Sequence, residues 1–333
     1  MDESSSPTVG RRRFLGALSA AVGSGVAGCP GTVGETERSG GTDLTPAPVP
    51  TIEAGADVLP GLSALPCPRF PGGAVVGNRV CATAPDDPLA LVAYDRRAGL
   101  PTATLRFQFR NSGPEPLSGL SPPWSLQKFV DGEWHVVRPL RIRSGTDSAA
   151  TGAADRRTWS LAVDNGATRR LDPRRDRGVE LDGDVTRLPL AGLGGGLYAF
   201  VVAGWLGEVV RERPTAVGAR FRLDGPALEL TPTADVERTD PGGPAVVLEA
   251  DPGLGEAVTY GLQPALDWED APTLPAEEAV LNPPLRNMLA AYSPSTNRVT
   301  LRTRRHPAYP VLSERLFSYR GTVFWVEPDP DEG

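Results

Sequence analysis

The chain has 333 residues, a net charge of −7 and one lysine, Lys128, among 34 basic residues. Its densest arginine stretch, Arg169 to Arg177, is interleaved with Asp172 and Asp176 and followed by Glu180, so no basic block exists for nucleic acid. Arginine, glycine, alanine and proline in place of lysine fit a GC-rich genome, and the acidic balance suits a high-salt habitat, where charge maintains solubility.

The first motif is Arg11-Arg12-Arg13-Phe14-Leu15. A twin arginine followed by an apolar pair reads as a twin-arginine export signal, so Arg11, Arg12, Phe14 and Leu15 are the expected contacts of the Tat export machinery. The run 14–27 carries Gly16, Ser19, Gly23, Ser24 and Gly25. It is too short and too weakly apolar for a membrane span, which takes roughly 20 apolar residues, and it suits a removable leader. Val26-Ala27-Gly28-Cys29 reads as a lipobox, although Val26 stands where leucine is usual. Residues 1–28 are therefore the expected signal. Cys29 is the expected lipidation site, and the outer face of the cell membrane is the expected location. A diacylglyceryl thioether would supply the two chains that firm anchoring takes.

Residues 29–58 combine Gly, Thr, Ser and Glu with the run Pro46-Ala47-Pro48-Val49-Pro50. That composition predicts a tether, flexible first and extended later. If Cys29 carries lipid, Cys67 and Cys81 remain as an even pair in a compartment where disulfides persist. A bridge between them would close a loop of about 15 residues, contributing roughly 3 kcal/mol in the chain-entropy account. Two free thiols are the alternative.

Residues 59–225 read as β structure. The stretch 104–110 alternates apolar and polar residues, putting Leu105, Phe107 and Phe109 on one face. The segment 111–116, with Gly113, Pro114 and Pro116, ends it. A strand over 124–129 meets another over 134–137 across Asp131-Gly132, a hairpin turn pair. Further strands are expected over 158–163, 197–205 and 219–223. Short strands separated by turns predict an antiparallel sandwich.

Beyond it, strands are expected over 228–230, 245–250, 298–303 and 322–326. Pro275 opens a helix whose first turn holds Glu277 and Glu278. Pro283 and Pro284 interrupt it, and a second helical piece runs over 285–292. Residues 226–327 thus read as a small α+β domain, with an acidic tail over 328–333. No internal repeat links the two halves.

Several pieces in this order resemble a bacterial and archaeal immunoglobulin-like domain. They are Asn111-Ser112-Gly113-Pro114-Glu115-Pro116-Leu117, the Asp131-Gly132-Glu133-Trp134 hairpin, the Trp159 strand, and Leu193-Gly194-Gly195-Gly196-Leu197-Tyr198. The resemblance covers roughly 74–224, and with the leader the chain is similar to exported lipoproteins of haloarchaea. It implies a fold and a surface address, and no catalytic residues.

Little chemistry stands out. His135 and His306 are the only histidines and lack ligand spacing for zinc. No Gly-x-Ser-x-Gly elbow occurs. Gly192 to Gly196 lacks the lysine and helix of a phosphate loop and reads as a turn. Asp182-Gly183-Asp184 and Asp267-Trp268-Glu269-Asp270 match no calcium loop. Trp124, Trp134, Trp159 and Trp205 suit a sandwich core better than a binding face. The expectation is thus a non-enzymatic surface lipoprotein without cofactor that binds an envelope protein, glycan or solute. One alternative is a hydrolase or metal-dependent enzyme with a cleft joining His306, Arg304 and Arg305 to Glu277 or Glu278. Another is a structural spacer in an envelope assembly.

Overall fold

Period-two alternation becomes three sheets. The computed structural model describes residues 61–68, 78–80, 87–118, 124–138, 156–166, 180–182, 185–207, 214–239, 244–250, 255–265, 268, 270–304, 312 and 314–329. The export and lipidation residues Arg11, Arg12, Phe14, Leu15 and Cys29 lie outside them, as does Cys81. Every described element belongs to one unit, Ile52–Gly333. The chain is mainly β.

A seven-stranded sheet is built from β1 (Asn78–Val80), β3 (Arg97–Gly99), β5 (Leu117–Ser118), β6 (Trp124–Val130), β7 (Glu133–Arg138), β11 (Gly196–Leu206) and β12 (Pro214–Asp224). A five-stranded sheet holds β2 (Leu89–Ala93), β4 (Thr102–Asn111), β8 (Arg156–Asp164), β9 (Glu180–Asp182) and β10 (Val185–Leu190). Alternation sends Leu105, Phe107 and Phe109 of β4 to one core with Leu126, Phe200 and Phe221 of the larger sheet. The Phe107 ring lies 4.9 Å from Phe200 and 5.4 Å from Phe221, which fixes the two sheets face to face. Across the other face of the larger sheet, residues 61–68 cover Trp134, which donates its indole N–H to the Pro66 carbonyl at 2.8 Å.

The β6–β7 hairpin forms as the turn chemistry predicts. Asp131 and Gly132 have φ of 50° and 85°, the left-handed pair that a two-residue type I′ turn requires. The antiparallel expectation needs correction. β10 runs parallel to β8, and β1 and β3 run parallel to β12. Parallel neighbours need a long crossover, and the chain supplies one between Asp164 and Val185, with β9 pairing antiparallel on the far side of β10.

A six-stranded sheet follows in the order β13 (Val236–Thr239), β14 (Ala245–Ala250), β16 (Arg298–Arg304), β15 (Ala257–Pro264), β18 (Thr322–Asp329), β17 (Arg315–Tyr319). Its apolar face packs on α2 (Pro283–Ala291) through Leu285, Met288 and Leu289. The strand expected over 228–230 does not form. This segment crosses between the sheet systems: the Pro226 carbonyl just before it accepts from the Gly195 amide (2.7 Å), and its Leu228 carbonyl accepts from Arg320 (3.2 Å). The prolines expected to interrupt a helix begin one. Asn282 caps α2, and Pro283 and Pro284 take its first positions, where a missing N–H costs nothing. The first helix, α1, is only Ala276–Ala279. β18 runs on to Asp329, so the strand enters the expected tail.

Candidate functional site

The polar chemistry of the described structure concentrates around α1, where the two sheet systems meet. Glu277 has a side chain only 1% exposed. Its Oε1 accepts from Lys128 Nζ at 2.6 Å, from the Gly194 amide at 3.0 Å and from the Tyr198 hydroxyl at 3.2 Å. The same hydroxyl lies 2.7 Å from the Gly194 carbonyl, its better acceptor. Arg138 is fully enclosed. It donates through Nη1 to the Glu277 carbonyl at 2.6 Å and through Nη2 to the Ala191 carbonyl at 2.7 Å. The backbone of α1 and its acidic side chain are therefore both gripped from β6, β7 and the loop before β11.

Local sequence makes this possible. The alternation of β6 places Lys128 on the same side as Leu126, so its stem continues the core-facing row to the sheet end. Gly194 and Gly195 let two backbones touch. A Cβ on Gly194 would run into the Leu228 amide, and one on Gly195 into the Gly225 carbonyl. Asn165 holds this loop, accepting from the Gly192 and Leu193 amides at 3.0 and 3.1 Å and donating to the Leu193 carbonyl at 2.6 Å.

The electrostatics follow from burial. Burial and then the Glu277 carboxylate push the Tyr198 phenol well above its ordinary range, so it stays neutral and can donate. Burial likewise raises Glu278, against the opposing pull of Arg315 (3.6 Å away) and His135. Glu277 Oε1 thus receives the Lys128 ammonium and the Gly194 amide, with the Tyr198 hydroxyl beside it. An enclosed carboxylate held by Lys128 of β6 and the Gly194 amide of the loop before β11 clasps segments that are distant in sequence.

Of the residues expected to form a cleft, the described ones, Arg304, Glu277 and Glu278, have separate partners. Arg305 and His306 lie outside the described residues. Arg304 sits exposed at the end of β16, donating to the Gly255 carbonyl at 3.3 Å, whereas Glu277 faces the first sheet system and Glu278 faces Arg315. Asp182 ends β9, while Gly183, Asp184, Asp267 and Glu269 lie outside the described residues. Among the described residues no three His, Cys, Asp or Glu side chains gather as metal ligands. Trp124, Trp134 and Trp159 are buried and Trp205 half-buried, so they form no exposed aromatic face.

Sequence reading noticed Glu277 as a helix-start carboxylate and missed its partners Lys128, Arg138 and Tyr198. One signal was available: the single lysine of an arginine-rich chain marks a position where a compact ammonium fits and a guanidinium fork does not. In comparisons with known proteins, no family model and no curated protein matches this chain.

Proposed function

We propose that the chain is an exported, lipid-anchored surface protein with no catalytic role. Its folded part is read as an immunoglobulin-like sandwich over 59–225 followed by an α+β domain over 226–327, and it binds another component of the cell envelope. The observation that carries the address is the ordered set Arg11-Arg12-Arg13-Phe14-Leu15, the weakly apolar run and Val26-Ala27-Gly28-Cys29. Each is common alone; in this order and spacing they suit export followed by acylation of Cys29. The immunoglobulin-like reading draws support from two sheets sharing one core and from the tight Asp131-Gly132 hairpin. The non-catalytic reading draws support from Glu277, whose donors all hold segments of the fold together. The Cys67–Cys81 bridge belongs to the same proposal, since it suits an oxidising compartment.

Intact-mass measurement of the native protein from a membrane fraction, with and without reduction, tests this. The expected species begins at Cys29, carries a diacylglyceryl adduct and gains two hydrogens on reduction. A species beginning near Met1 with unmodified Cys29 overturns the surface assignment.

A further inference from the structure

The five-stranded sheet has one face on the core; the other carries a charge pattern that the clasp leaves unexplained. On β4, Arg106, Gln108 and Arg110 alternate with the core residues Phe107 and Phe109. On β8, Arg156 stands directly opposite Arg110, and Thr158 opposite Gln108. Like charges directly across an antiparallel pair repel. Arg110 Nε spends a donor on Gln108 Oε1 at 3.1 Å. Among the described residues, none of Arg106, Arg110 or Arg156 joins an ion pair, whereas arginines elsewhere, such as Arg97, Arg298, Arg302 and Arg315, do. Beyond Ser160, Arg187 of β10 occupies the same row as Arg106, with Glu180 of β9 next in register at the sheet edge.

The cations therefore stand at two levels four residues apart along the strands, roughly 13 Å at about 3.3 Å per residue. Arg106, Arg156 and Arg187 are exposed and Arg110 half-buried. A chain of net charge −7 thus carries Arg106, Arg110 and Arg156, none of them in an ion pair among the described residues, on one face of this sheet, around the buried Gln108 and Ser160. Guanidiniums pair with carboxylates in two-pronged geometry; between the two levels lie the half-buried Thr158 and the buried Gln108, which accepts from Arg110. Among the described residues the only exposed large apolar side chain is Trp268, far along the chain in the segment before α1. The basic face therefore has no anchor to insert into a bilayer, which favours a polyanion lying across it.

We propose that this face binds an acidic polysaccharide, its carboxylate groups bridging Arg110 and Arg156 at one level and Arg106 at the other. This rests on the reading of the chain as an envelope-binding protein and names the class of partner. It does not depend on lipidation, so an unprocessed mass would defeat the surface assignment and leave the binding result standing.

The test uses the full chain in detergent, passed over immobilised alginate (a polyuronate) and over neutral dextran. Alginate is expected to retain the protein and dextran not, with retention weakening as added salt screens the charges. The triple variant Arg106→Ser, Arg110→Ser, Arg156→Ser is expected to bind alginate at least about tenfold more weakly, the loss of one good contact or more. A charge-matched control, Arg222→Ser, Arg302→Ser, Arg304→Ser, is expected to bind as the parent does. Arg156→Ser alone removes the cross-strand repulsion, so it is expected to weaken binding while raising the melting temperature, and it guards against a triple variant that fails to fold. Absence of alginate binding by the parent overturns the proposal. So does equal loss in both triple variants, which would mean bulk charge. Stronger binding to phosphatidylglycerol vesicles than to alginate, abolished by the same substitutions, also overturns it and makes a bilayer the occupant.

Discussion

At the scale of single residues, Glu277 and Lys128 form an ion pair with the carboxylate buried. The pair is 149 positions apart in sequence and 2.6 Å apart in space. Removing one member of a buried pair strands the other charge, which costs about 3–5 kcal/mol. Lys128 keeps 13% of its side chain exposed, so Glu277→Ala is expected near 3 kcal/mol, read by urea unfolding. Replacing both, Lys128→Met with Glu277→Leu, should recover much of that loss, because apolar groups of similar volume need no counter-charge. Additive losses in the two single variants and the double variant would show that the pair is not coupled. The residue types were visible in sequence, and Glu277 was rightly placed at a helix start. Its role was not, because burial of a carboxylate depends on where distant strands bring their donors.

Among the elements, the reading from sequence succeeds where structure is local. The strand at Leu105 follows from alternation, those at Phe129 and Phe200 from short apolar runs between turns, and the hairpin at Asp131-Gly132 from turn stereochemistry. It fails where local cues conflict. Pro283 and Pro284 look like helix breakers, yet Asn282 before them is a good N-cap, and together the three make a helix start. The Asn282 side chain accepts from the Leu285 amide at 3.3 Å. Asn282→Ala is expected to cost about 1 kcal/mol in thermal unfolding, and Asn282→Asp to restore most of it. A loss below the error of the melt would mean that the prolines alone set the start of α2. Leu228-Glu229-Leu230 fails oppositely: its alternation suits a strand, but the Leu228 carbonyl is claimed by the Arg320 side chain as the chain passes between sheets.

For the whole molecule, the question is whether the sheet systems act together. Arg138, Lys128 and Tyr198 from one side and Glu277 and its backbone from the other join them through buried polar contacts, while the cores on either side stay separate. Residues 52–333 form one unit on contact grounds, so the two sheet systems should unfold in a single transition. Hydrogen exchange should accordingly give similar protection free energies at Phe107 and Phe200 on one side and at Leu301 and Val326 on the other. In Glu277→Ala the two sets should separate. Separate values in the unmodified protein would show that the clasp leaves the systems independent.

The mainly β character, half of the described strands and the hairpin could be read from the residues alone, because alternation and turn chemistry act over a few neighbours. Export and acylation of Cys29 remain motif readings, testable by mass. The tertiary structure decided the pairing order, the parallel runs beside β8 and β12, the burial of Glu277 and the convergence of Arg106, Arg110 and Arg156 on one face. These depend on which distant segments lie side by side, and a local pattern fixes which way a side chain points without fixing what it meets.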